Sequence, residues 1–152
     1  MSDNRIGAMP VETLVAKLGS DAITPGSGAA GALALALAAA CAGKALAITA
    51  KHRPLSDTLV EAARSIAQLQ EAALRGADDD ADHFKEFLRH RSAETANELR
   101  QTDRGLLALC ASLNEIVDQI CADIHPIVAG DITAARALVE AASAIHRGNT
   151  AQ

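Results

Sequence analysis

From Ala29 to Thr49 the chain is almost wholly apolar, most of it alanine, with Lys44 as the single charge inside. Such a segment has two homes. It is long enough to span a bilayer, and it also suits the all-round apolar helix at the centre of a helical bundle. Few of its side chains are strong membrane formers and Lys44 interrupts it, so the bundle is the expectation. Small alanine side chains let neighbouring helices approach closely.

Composition supports this. Of 152 residues 35 are Ala, two Phe are the only aromatics, and mean hydropathy is +0.12. Strands are poor in alanine, so a sandwich or barrel is excluded. Two rings are too few for a reader of single-stranded nucleic acid, which stacks bases on aromatics. A net charge of −5 and a pI near 5.4 argue against a polyanion binder. The expectation is therefore no nucleic-acid partner and no membrane. Cys41, Cys110 and Cys121 lie in apolar surroundings with no Cys-x-x-Cys spacing. They read as reduced, buried thiols of a cytoplasmic protein. The opening MSDNRIGAMP lacks the basic-then-apolar pattern of a signal peptide.

Pro10, Pro25, Pro54, Pro126 and Gly130 punctuate the chain, and the apolar spacing between them is helical. The expected helices run from about Pro10 to Leu18, Pro25 to Lys51, Ser56 to Arg89, Ala93 to Ile124, and onward from Asp131. Thr24 with Pro25, and later Asp131, are the expected helix starts, and Gly76 is a candidate bend. The fold class is all-α: a compact bundle of about five helices around a buried Ala-rich central helix, as a single domain over residues 1–152.

Gly26-Ser27-Gly28-Ala29-Ala30-Gly31 spells G-x-G-x-x-G. A dinucleotide site also needs a preceding strand and an acid about 20 residues on, and neither is present. The turn is either a cradle, where glycines and a helix N-terminus admit an anionic or carbonyl-bearing ligand, or a device for tight packing. Asp78-Asp79-Asp80-Ala81-Asp82 contains D-D-x-x-D, but the second aspartate-rich helix of a diphosphate–magnesium site is missing. Asp78, Asp79 and Asp82 fit a solvated patch. Asp80 does not, because it falls three residues after Ala77 and four before Phe84, inside the apolar stripe. A carboxylate facing a core is costly unless paired or functional, and burial raises its pKa toward the range of proton transfer. A structural ion pair is the competing reading. Five His show no metal-ligand spacing, so no metal is expected. Lys51-His52-Arg53 either complements a helix C-terminus or grips substrate carboxylates.

These residues resemble a family. Leu18-Gly19-Ser20 followed by Thr24-Pro25-Gly26-Ser27-Gly28 and the Ala-rich helix to Thr49 is similar to the cyclodeaminase domain of formiminotransferase-cyclodeaminase. That family includes bacterial methenyltetrahydrofolate cyclohydrolases. Its turn reads P-T-P-G-G-G-S; here Ser27 replaces the middle Gly and Ala29 the Ser. Asp80-Ala81-Asp82-His83-Phe84 resembles its D-A-E-A-F segment, whose first Asp is the expected proton donor and acceptor. Asp131 with Ala134-Ala135 resembles its S-D-x-x-V-A-A helix start, and Asn149 follows Asp131 at the family's interval. The family's R-L-P-K stretch is absent, Leu88 to Thr95 reading LRHRSAET, and the sequence ends where the family continues into a last helix.

The resemblance implies one-carbon folate chemistry. Either 5-formimino-tetrahydrofolate closes to 5,10-methenyl-tetrahydrofolate with loss of ammonia, or the methenyl compound is hydrolysed. No cofactor is needed beyond the folate substrate. Asp80 is the expected catalytic residue. Gly26, Ser27 and Gly28 would hold polar substrate atoms. Thr49, Asp131 and Asn149 would supply hydrogen bonds, and Lys51 or Arg53 would meet the glutamate tail. The alternative is a non-catalytic helical binding or assembly module of the same descent. A homodimer is the expected assembly, because a bundle short of a helix exposes an apolar face.

Overall fold

The structure, a computed structural model, describes residues 5–151. Five α-helices follow in order: α1 Val11–Leu18, α2 Ser27–His52, α3 Asp57–His90, α4 Ala93–Ile120 and α5 Ala129–Thr150. Short 3-10 turns precede α1 (Ile6–Ala8) and α5 (Pro126–Val128). No strand occurs among the described residues. The all-α bundle expected from the apolar spacing is what forms.

Four long helices build it. α2 packs along α3 and α5, and α4 closes the far side against the same two helices. Twelve α2 residues are buried, more than in any other helix, and nearly all are Ala, Gly or Leu. By length and composition α2 would cross a membrane. Here half of its most apolar stretch is buried by neighbouring helices. Larger buried side chains on the other helices share the core with it: Ile66 from α3, Leu113 and Ile120 from α4, Val139 from α5. α1 buries no residue and reaches the core only through half-buried Leu14, and Val11 and Val15 on its apolar side are 75% and 61% exposed.

Local sequence explains most boundaries. Ser56 caps α3 through the Leu59 N–H, and Ser92 with Thr95 forms a capping box at the start of α4. Three starts and stops depart from the sequence reading. α2 begins at Ser27 rather than Pro25, because Gly26 is extended (φ −119°, ψ −158°). α5 begins at Ala129, which puts Asp131 in its first turn instead of at the cap. There it still meets the positive dipole end. α4 stops at Ile120, not Ile124. Gly76 does not interrupt α3; it lets Leu106 pack close, since a Cβ there would lie 2.7 Å from Leu106 Cδ2. Of the thiols only Cys110 is buried, and Cys121 is exposed at the end of α4.

Candidate active site

The connectivity brings the start of α2, the later turns of α3, the first half of α4 and the end of α5 to one end of the bundle. A cavity of about 290 Å³ lies between them. Its polar lining comes from Asp80, Arg100, Asp103 and Asn149, with Thr24 and the Gly26–Gly28 turn. Phe84, Phe87 and Leu99 supply the apolar wall. Both aromatic residues of the chain therefore face one ligand-sized space.

Asp80 is only 7% exposed, and its neighbours in the acidic run are not buried. Asp79 and Asp82 are exposed, and Asp78 accepts a hydrogen bond from the Ile6 N–H at 2.7 Å. The glycine turn explains how Asp80 fits. A Cβ on Gly28 would overlap the Asp80 carboxyl group. The missing side chain thus admits this carboxyl against the N-terminus of α2. Gly31, one turn further along α2, does the same for His146, whose Nε2 would lie 2.7 Å from a Cβ there. Gly26 faces open space. Of the two readings of the turn, the packing one describes Gly28 and Gly31, and Gly26 borders the cavity.

Burial pushes the Asp80 carboxyl up from 3.8 to about 6, and the charge of nearby Asp103 adds to the rise. The Ala29 backbone N–H pulls the other way, as a charged His146 or His83 would. Desolvation outweighs the favourable helix end. A carboxyl in this state takes up and releases a proton near neutral pH.

Asp103 is 3% exposed and His146 is fully buried. His146 Nδ1 lies 2.6 Å from Asp103 Oδ1, and Asn149 Nδ2 donates to the same oxygen at 3.2 Å. The Ser27 hydroxyl donates to Asn149 Oδ1 at 3.2 Å. The chain Ser27–Asn149–Asp103–His146 thus joins α2, α5 and α4 around the cavity.

Five of the residues expected at the site are brought together: Asp80, Gly26, Ser27, Gly28 and Asn149. Four are not. Thr49 lies 22 residues along α2 from Ser27, or about 33 Å at helical rise. There its hydroxyl bonds the Ala45 carbonyl and accepts the His125 N–H. Arg53 bonds the Asp123 carbonyl, Lys51 is exposed, and Asp131 pairs with Lys44 at 3.8 Å. This second group ties the end of α2 to the start of α5. Asp103, His146 and Arg100 were missed. The signal for Asp103 was the one that revealed Asp80: it falls four residues after Leu99 and three before Leu106, inside an apolar stripe.

The family model for formiminotransferase-cyclodeaminase matches residues 10–149. The chain belongs to this family. Among solved structures, formiminotetrahydrofolate cyclodeaminase from Thermotoga maritima superposes with a TM-score of 0.89 at 15% identity. The match covers 96% of this chain and 78% of that one. At that identity the likeness carries the fold. A search of curated proteins by sequence gives no match. The domain is of the folate cyclodeaminase type, and its polar cavity lies where the family's glycine turn meets the acidic segment of α3.

Proposed function

We propose that this domain closes 5-formimino-tetrahydrofolate to 5,10-methenyl-tetrahydrofolate with release of ammonia, and that Asp80 carries the proton. The observation that supports this most is the Asp80 carboxyl, buried in the cavity beside the Gly28 backbone and titrating near pH 6. In the reaction N10 attacks the carbon of the protonated formimino group, an amidinium cation, and takes over the positive charge, leaving an NH2 on the tetrahedral carbon. The Asp80 carboxylate removes the N10 proton and passes it to the amino group of the tetrahedral carbon. Ammonia leaves with the C–N bond electrons, and the methenyl cation remains. The proton borrowed from N10 departs in the ammonia, so Asp80 ends as it began.

Phe84, Phe87 and Leu99 suit the flat rings of the folate. Arg100 is half-buried at the same cavity. It takes the part first expected of Lys51 or Arg53, pairing with a glutamate carboxylate. Ser27 and Asn149 supply hydrogen bonds to polar substrate atoms.

Purified protein mixed with 5-formimino-tetrahydrofolate tests the reading through the methenyl chromophore. Its growth with ammonia release, lost in Asp80→Asn, is the expected result. Decay of added methenyl-tetrahydrofolate without cyclodeamination would assign the site to water addition instead. Binding without turnover would make the domain a non-catalytic module. A homodimer belongs to the same proposal, with the uncovered side of α1 around Val11 and Val15 against a second copy. Sedimentation showing monomer alone at micromolar concentration would remove it.

A further inference from the structure

Asp103 is the least expected charge in the molecule. It lies on α4, almost fully buried, and lines the cavity with Asp80. Two donors converge on its Oδ1, the His146 ring and the Asn149 amide. The Asn149 amide NH2 only donates, so Oδ1 is the acceptor of that bond.

The state of His146 decides whether that charge is cancelled. Its Nε2 is buried without a hydrogen-bond partner and abuts the backbone at Gly31. A protonated ring would bury an unpaired N–H donor and a positive charge at that atom, which is costly. The neutral ring with Nδ1–H toward Asp103 leaves only a lone pair there. His146 thus anchors Asp103 without neutralising it.

Other charged groups facing the cavity do not cancel it either. From α4 comes Arg100, only half-buried and so better screened by water. From α3 comes Asp80 itself; His83 lies outside the cavity lining, and its ring bonds Thr102 at 2.8 Å. α2 contributes no titratable group, only the Ala29 N–H. Asp103 is the cavity carboxyl that two neighbouring side chains hold in place.

We infer that Asp103, held by His146 and Asn149, makes this cavity select a cationic one-carbon centre over its neutral counterpart. This rests on the folate reading above and adds the source of charge selectivity to it. A carboxylate fixed before binding costs no reorganisation when the amidinium or methenyl cation arrives. It also adds to the rise that burial gives the Asp80 carboxyl.

The test compares cationic 5,10-methenyl-tetrahydrofolate with neutral 5-formyl-tetrahydrofolate on the whole chain. Wild type is expected to favour the cation by about tenfold or more, and Asp103→Asn to lose that preference while keeping affinity for the neutral compound. Equal affinity of wild type for the two overturns the inference and leaves the folate reading standing. Failure to bind either removes the folate reading and this inference with it. Equal loss of both ligands in Asp103→Asn also overturns it, because that marks a structural role. A readout without ligand runs in parallel. The carboxyl carbon resonance of Asp80 is expected to titrate below about 6 in Asp103→Asn, and an unmoved midpoint counts against the inference.

Discussion

The two ends of the bundle are built from similar residues and do different things with them. At one end Asp80, Asp103, His146, Asn149 and Ser27 face or adjoin a cavity. At the other, Thr49, Arg53, Asp131 and Lys44 make hydrogen bonds and an ion pair to the protein itself, and the His52 and His125 rings stack with centroids 4.0 Å apart. The first end keeps a carboxyl in a costly state; the second spends its polar groups on closing the chain. What separates them is whether the neighbouring helix offers a side chain or a gap. Gly28 and Gly31 open gaps at one end, and the His125 backbone fills the corresponding space beside Thr49 at the other.

Substitutions at matched positions break or sharpen this contrast. Asp80→Asn carries the largest effect, a turnover loss of about 10²–10⁴. The same change is expected to stabilise the fold above about pH 7. Between 3.8 and about 6 the unfolded chain gives up the Asp80 proton while the native chain keeps it. Stability therefore falls as pH rises through that window and stays lower above it. Removing the charge recovers on the order of 3 kcal/mol there and nothing below about pH 3.5. Thermal melts at the two pH values check it. A variant no more stable than wild type at the higher pH would show that Asp80 bears no burial penalty.

Gly28→Ala comes next. Alanine gains up to about 1 kcal/mol of helix propensity, but its Cβ would overlap the Asp80 carboxyl. Overpacking of about 1–3 kcal/mol wins, and activity is lost with Asp80 displaced. At the far end Gly130→Ala meets nothing within 4 Å. It is expected to be neutral or stabilising by up to about 1 kcal/mol, with activity unchanged. Denaturant unfolding of the pair reads both signs, and similar behaviour at the two glycines would dissolve the contrast.

Thr49→Val removes the acceptor for the His125 N–H. A cost of about 1–2 kcal/mol with kcat/KM intact is expected. Loss of turnover at unchanged stability would return Thr49 to the substrate site. Lys51→Ala is the smallest, within about 0.5 kcal/mol and without effect on KM. A raised KM would restore it as a contact for the glutamate tail.

Much of the site was legible because burial in a helix is periodic. Asp80 stood out by sharing a face with Ala77 and Phe84, and the structure buries it there. The same arithmetic on α4 would have found Asp103. His146 obeys it too, four residues after Ala142 and seven after Val139, and the gap at Gly31 makes room for its ring. Thr49, Lys51, Arg53 and Asp131 were drawn into the expected site by motif order. Order along a chain carries no information about which end of a helix a residue occupies in space.

Local pattern along the chain sets the helices, the face each one buries, the close packing of α2 and the inward carboxyl on α3. These follow from side-chain size and the 3.6-residue repeat, which act over one or two turns. Only the tertiary structure decided which polar groups meet. Partners such as Asp103 with His146, or Ser27 with Asn149, come from different helices. Their encounter depends on helix lengths, on the turn at Gly26 and on how closely alanine lets the helices approach.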